Sequence, residues 1–389
     1  MASGIHIVTP EYPPQSGGVS DYTAQVAEGL AREGEEVHVW CPGVNALQLA
    51  DGMVHVHRDL GQVNAKDLKK VGEQLDRFPA PRRILVQYVP HGYGRRSMNV
   101  PFCTWLWRRA QQGDSIEIMV HEAFLNFEGS WRQYGAALIH RLMTVILLRA
   151  ASRVWVSIPE CERRWKWYTF GRSVPFQWLP VPSNIRVARD ETAIQAVRRR
   201  YAPQGGLLLG HFGTYGAPVL SVLEPIVLKI AREIGDLPLL LMGMRSQEFR
   251  DGLIERHPAL ECRVHATGPL DPESLSHHIA ACDVLIQPYP DGATTRRTSL
   301  MVGLAHGKPI VTTESEVTEP LWTQSNAVGI APAGDADAFV KLLRSLLQDP
   351  AERTRMAHAA RKLYQERFDI SHTLAALGPT ASHCFPCAS

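Results

Sequence analysis

The sequence predicts an α/β chain of two doubly wound parallel-sheet domains, and three observations carry that expectation. Short β-branched runs alternate with amphipathic stretches from end to end, the mark of parallel βα units rather than of repeats or low complexity. The alternation is interrupted at Pro180-Val181-Pro182-Ser183-Asn184 and then restarts. At 389 residues the chain is too long for one ordinary core and comfortable for two.

In the first half, strands are expected at 5–8, 37–40, 84–89, 116–120 and 154–157, with helices at 20–32, 65–78 and 131–149. Past the proline-rich segment come a helix at 193–201 and strands at 207–212, 239–242, 262–266, 284–287 and 310–313. Helical apolar spacing returns at 335–347 and 350–368, where Asp335 and Asp349 stand as N-caps. The expected division is 1–182 for an N-terminal domain, 183–205 for a hinge and linking helix, 206–368 for a C-terminal domain, and 369–389 for a closing segment that packs back on the N-terminal domain.

Composition narrows the function. Apolar content of 45% and charged content of 21% are those of an ordinary globular protein, and a net charge of +2 gives no global field for nucleic acid. Arg greatly outnumbers Lys, so anion binding falls to local clusters such as Arg296-Arg297. Seven scattered cysteines and an opening without a secretory pattern point to a reducing cytoplasm. Cys384 and Cys387 with His383 fall short of a zinc site, and no metal is expected. The apolar run from Leu142 to Ala151 is too short to span a bilayer and is broken by Arg149. Two aromatic and basic stretches, 95–109 and 162–168, read either as a peripheral membrane or lipid-linked-acceptor surface, or as helices with tryptophans inward and arginines in water.

Three places carry chemistry. Gly17-Gly18, between the first strand and the first helix, lets backbone N–H groups and the helix dipole approach an anion; the plain alternative is a strand-to-helix turn capped by Ser20. The run Thr294-Thr295-Arg296-Arg297-Thr298-Ser299 sets two guanidiniums and four hydroxyls before an apparent helix, an anion site on physical grounds alone. His121 closes a parallel strand, at the rim where α/β enzymes bind ligands, with Glu122 beside it. Tyr88 and His91, at another strand end, are acceptor candidates on the same rim.

The string Pro13-Pro14, Gly17-Gly18-Val19, Tyr22 resembles the opening of the retaining GT-B glycosyltransferases of family 4, also called group 1. Further matches follow in order: Val120-His121-Glu122, Gly210-His211-Phe212-Gly213, Leu241-Met242-Gly243, Thr267-Gly268-Pro269-Leu270, Ala281-Cys282-Asp283-Val284 and Gly303 to Val311. The resemblance implies two Rossmann-like domains facing across a cleft, the acceptor on the N-terminal side and a nucleotide-diphosphate sugar, UDP- or GDP-linked, on the other. It also implies retention of configuration, no cofactor and no obligatory metal. Two departures stand out. The Arg and Lys that hold the diphosphate after the strand opening the second domain are absent from Gly213-Thr214-Tyr215, and the E-x7-E glutamates are replaced by Thr294 and Val302.

The expected roles follow. His121, Gly18 and Arg296 are catalytic; Gly17, Gly18, Thr214, Arg296, Arg297, Thr298 and Ser299 bind the diphosphate. Gly213, Tyr215, Gly268, Pro269, Leu270, Thr294 and Glu319 meet nucleotide and sugar, and His91, Tyr88 and Glu122 meet a small-molecule, glycan or lipid-linked acceptor. The diphosphate is expected beside Thr294 to Ser299. A sugar-nucleotide epimerase and a non-catalytic nucleotide-sugar-binding module are the alternatives.

Overall fold

The protein is described by a computed structural model covering residues 4–15, 17–43, 52–94, 97–127 and 130–378. The chain forms two compact units, one running to Pro180 and taking in the last helix, the other Val181–Asp369. In the first unit the order is β1 (Ile5–Val8), α1 (Gly18–Arg32), β2 (Val37–Trp40), β3 (Val54–His57), α2 (Ala65–Leu75), β4 (Arg83–Tyr88), α3 (Val100–Gln111), β5 (Ser115–Val120), α4 (Trp131–Ala150), β6 (Ala151–Val156), α5 (Pro159–Lys166) and β7 (Phe176–Trp178). The second unit holds α6 (Glu191–Tyr201), β8 (Leu209–Phe212), α7 (Ala217–Glu233), β9 (Leu239–Met242), α8 (Ser246–Arg256), β10 (Val264–Ala266), α9 (Pro272–Ala281), β11 (Val284–Gln287), α10 (Thr298–Ala305), β12 (Ile310–Glu314), α11 (Pro320–Gln324), β13 (Gly329–Pro332), α12 (Ala336–Gln348) and α13 (Pro350–Arg367). The closing helix α14 (Ile370–Leu377) packs on α1 of the first unit, where Gly29 leaves room for Leu374 and the Arg83 guanidinium donates to the Leu377 carbonyl at 2.6 Å.

Both sheets are parallel, as expected for doubly wound domains. Their orders are β3-β2-β1-β4-β5-β6-β7 and β10-β9-β8-β11-β12-β13. Strands such as Val37–Trp40 and Leu239–Met242 are buried along their whole length because helices cover both faces, which is why they read as unbroken apolar runs. The reversal of strand order falls between β1 and β4 in one sheet and between β8 and β11 in the other. Each reversal opens a crevice at the carboxyl ends of the strands, where open α/β sheets bind ligands. The segments after β1, β4 and β5, and those after β8, β10, β11 and β12, therefore define each unit's functional edge.

Helix starts are set by local chemistry. Asp335 accepts from the Ala338 N–H at 2.8 Å and Asp349 from the Glu352 N–H at 2.9 Å, so both act as N-caps. The helix α1 differs: its cap residue is Gly17, with no side-chain bond of its own, and Ser20 lies inside the helix. The strands β3, β7 and β13 and the helices α7, α8, α9, α11 and α14 lie beyond the sequence expectation, whereas α3 takes the helical alternative offered for 95–109.

Candidate functional site

On the second unit's edge, the run after β11 turns on a single acid. Asp291 takes the Arg296 guanidinium at 2.9 Å and is also bonded to Arg297. The guanidinium of Arg297 lies 4.7 Å above the Tyr289 ring, whose hydroxyl in turn meets Ser299 Oγ at 2.8 Å. Arg296, Arg297 and Asp291 remain partly exposed, so the pair neither hangs in solvent nor sinks into the core. Two donors at this place have no partner among the described residues: the buried Thr294 Oγ1 and the Nε of Arg297. Buried polar groups are rarely left so. Arg297 is the N-cap of α10, whose first turn carries Thr298 and Ser299, so its free N–H groups add to the same positive end.

A buried carboxylate holds this loop from below. Glu319 accepts from the Thr295 N–H at 3.0 Å, from Thr295 Oγ1 at 2.6 Å and from the Trp322 indole at 2.8 Å. Both of its oxygens are thereby engaged within the protein. After β8, Thr214 is exposed, while Tyr215 is buried in a left-handed conformation with its hydroxyl 3.0 Å from His211 Nδ1. Burial pulls the His211 pKa down to about 3. Gly213 closes the strand through its N–H to the Met242 carbonyl, and Gly268, at φ 71°, turns the chain after β10 toward exposed Pro269 and half-buried Leu270.

On the first unit's edge, the Gly17-Gly18 loop is occupied by the chain's own anion. One Glu11 oxygen accepts from the Val19 and Ser20 N–H groups at 3.1 and 3.0 Å, capping α1 from a distance. Gly17 is needed for space, since a Cβ there would fall 2.5 Å from Glu11 Oε2, whereas a Cβ on Gly18 would meet nothing. His121 is buried, with Nε2 2.8 Å from Gln87 Oε1 and its ring edge-on to Tyr22. Burial lowers its pKa to about 4, so at neutral pH it is an uncharged imidazole whose Nε2–H donates to Gln87. His91 and Glu122 lie together at the surface, Nδ1 to Oε2 3.4 Å, and the Glu122 hydrogen bond raises the His91 pKa. Tyr88 is placed otherwise: it is fully buried against Tyr93 and Trp165, a core side chain rather than a rim one.

Sequence reading passed over Glu11, Gln87 and Asp291 as site residues. Gln87 precedes Tyr88 on the strand and so faces the opposite side, which is a legible signal; the partnerships of Glu11 and Asp291 depend on loop closure. Of the two aromatic and basic stretches, the first places Phe102 and Leu106 in the core, with Arg109 buried on Asp114 and Asp76, and Arg95 and Arg96 lie outside the described residues. Cys384 and Cys387 also lie outside the described residues. Among the described residues no group of three His, Cys, Asp or Glu is placed to hold a metal ion, and no helix is long and apolar enough to cross a membrane.

Residues 209–349 match the family Glycosyl transferases group 1. Over 368 residues the chain is 22% identical to a phosphatidyl-myo-inositol mannosyltransferase of Mycolicibacterium smegmatis, covering 92% of this chain and 87% of the relative. Among solved structures, sucrose-phosphate synthase from Thermosynechococcus elongatus superposes with a TM-score of 0.76 at 17% identity, covering 98% of each chain. Anabaena HepE in complex with UDP superposes with a TM-score of 0.70 at 16% identity, covering 97% of this chain and 99% of that one. The chain is a glycosyltransferase of GT-B fold whose residues 209–349 match the group 1 glycosyl transferases.

Proposed function

We propose that this protein moves a sugar from a UDP- or GDP-sugar to a hydroxyl of a small-molecule, glycan or lipid-linked acceptor, with retention of anomeric configuration and no obligatory metal. The observation that carries the reading is the Thr294–Ser299 loop, where a buried unpartnered hydroxyl, an unpartnered guanidinium N–H and a helix N-terminus meet at the carboxyl edge of a parallel sheet. Two relatives support the substrate classes: HepE has been solved with UDP-glucose, and the mycobacterial relative is named for mannosyl transfer to phosphatidyl-myo-inositol.

In the reaction, the bond between the anomeric carbon and the diphosphate breaks, and a departing phosphate oxygen takes the proton of the acceptor hydroxyl. That hydroxyl's oxygen bonds the anomeric carbon on the same face. Arg296, Arg297, Thr298 and Ser299 meet the growing negative charge, a task for fixed cations and N–H donors. A guanidinium has five N–H groups, so Arg297 can keep Asp291 and still turn its Nε–H to phosphate. Thr214 adds a hydroxyl to the diphosphate; Gly213, Tyr215, Gly268, Pro269 and Leu270 shape the nucleotide pocket, and Glu319 acts by holding Thr295 in place. On the acceptor unit, neutral His121, its Nε2–H held by Gln87, leaves Nδ1 to accept from a sugar or acceptor hydroxyl, with His91 and Glu122 beside the acceptor. Gly17 and Gly18 open the α1 N-terminus to an anion once Glu11 swings away from it.

Incubation with a panel of UDP- and GDP-sugars together with a panel of hydroxyl acceptors tests this. The expected result is nucleoside-diphosphate release with one donor, unchanged by a chelator, and a product whose anomeric configuration matches the donor's. Inverted product contradicts the retaining step, and chelator-sensitive turnover contradicts the metal-free one.

A further inference from the structure

We propose that the outer face of α4, together with the turn after α5, docks this protein on an anionic lipid surface. The inner face of α4 is ordinary: Ala137, His140, Met143, Thr144, Leu147 and Leu148 are buried in the first unit. The outer face is not. Trp131, Tyr134, Leu138 and Leu142 follow at helical spacing along one stripe, and Trp131 is 78% and Leu138 64% exposed. Single exposed apolar residues are normal on protein surfaces, but a continuous stripe of them marks a binding face.

The stripe extends beyond the helix. Phe127, in the loop before α4, stacks on Tyr134, and the Arg141 guanidinium caps it at 3.6 Å. The turn at 167–169, which packs on α4, presents Trp167 at 81% exposure, and Phe170 follows at 70%. Phe170 adopts a left-handed backbone, φ 47°, a conformation a bulky residue rarely takes, and its ring stands outward. The second aromatic and basic stretch of the sequence thus splits, Trp165 going into the core and Trp167 out to solvent beside α4.

Charge selects the occupant. The helix α4 carries Arg132, Arg141 and Arg149 and no Asp or Glu. The acids of α5 are already spent on neighbours, Glu160 on Arg163 and Glu162 on Lys166. A second copy of this face would set arginine against arginine. A bilayer interface offers both things the face lacks, apolar depth for Trp, Phe and Leu and negative headgroups for Arg. The inference rests on the first unit alone and is independent of which sugar is transferred.

The test is flotation of the full chain with vesicles of phosphatidylcholine alone and with phosphatidylglycerol added. The wild type is expected to float with the anionic vesicles and to be released by salt, while Leu138→Glu/Leu142→Glu and, separately, Trp167→Ser/Phe170→Ser lower partitioning by about tenfold or more. All four side chains are largely exposed, so both variants should keep the wild-type circular dichroism melt, and donor hydrolysis in solution should be unchanged. Equal flotation of both variants and wild type, or no flotation of the wild type, overturns the proposal. A concentration-dependent dimer in sedimentation that Leu138→Glu/Leu142→Glu abolishes does so too, by assigning the face to a second copy.

Discussion

Replacing Arg296 and Arg297 together by Ala probes the donor site most heavily. Each guanidinium that meets a phosphate contributes a charge-assisted bond of about 1.5–3 kcal/mol, so the pair supplies roughly 3–6 kcal/mol toward a diphosphate. At about 1.4 kcal/mol per decade, the Kd for the nucleoside diphosphate should rise by about 10²–10⁴. A second effect adds to this. Asp291 now faces both guanidiniums, at 2.9 Å in the case of Arg296, and without them it becomes an uncompensated acid beside the incoming anion. Two unit charges about 6 Å apart at an effective dielectric near 20 repel by roughly 3 kcal/mol, an upper bound here because Asp291 is partly exposed. Adding Asp291→Asn to the double variant should therefore recover part of the lost affinity. Titration calorimetry with UDP and GDP reads both steps. A Kd for the double variant within about twofold of wild type would refute the reasoning, since the loop would then be structural.

Three further outcomes follow from the same geometry. Glu319→Gln exchanges a carboxylate that accepts three hydrogen bonds for an amide that turns a donor toward one of them, and should destabilise the second unit by roughly 1–3 kcal/mol while raising the donor KM; an unmoved urea midpoint would show that Thr295 and Trp322 do not depend on it. Gly17→Ala forces Glu11 off the α1 N-terminus and should cost about 1 kcal/mol, a loss that disappears in an Glu11→Ala background; additive costs in urea unfolding would count against the capping role. Burial holds His121 and His57 to pKa values of about 4 and His6 to about 3, with neighbouring cations adding to the shift of His6. The unfolded chain takes up these protons below pH ~6.5, so stability should fall between there and pH ~4, by roughly 3 kcal/mol for His121 alone. His121→Gln should flatten that slope, and a urea midpoint constant from pH 7 to pH 5 would contradict the shifts.

Much of this fold was legible because parallel strands covered on both faces leave unbroken apolar runs, as at Val37–Trp40 and Val284–Gln287. The strand β3 was not, because its Val-His-Val-His sequence reads as polar while its histidines stack on rings of β2, His55 on His38 at 4.9 Å and His57 on Trp40 at 4.0 Å. The strand β13 was hidden by its Gly329 and Pro332 ends, which read as turn. N-caps set by the neighbouring residue, Asp335 and Asp349, showed in the sequence, whereas the cap of α1 comes from Glu11 across a loop. The Thr294–Ser299 run was visible as chemistry, but Asp291 and Glu319 acquire their roles only through contacts made on folding. Tyr88 shows the converse: a polar-tipped residue at a strand end belongs to the rim or the core according to which face its register gives it, and here that face is the core.

The central claim is that the donor's diphosphate is held by the loop from Thr294 to Ser299. A crystal structure of the protein with UDP or GDP bound tests it most directly. The account predicts phosphate oxygens within hydrogen-bonding distance of Arg297 Nε, the Arg296 guanidinium and the first N–H groups of α10, with Thr294 Oγ1 newly partnered. A nucleotide bound elsewhere, with Arg296 and Arg297 still closed on Asp291 and Thr294 unchanged, would contradict it.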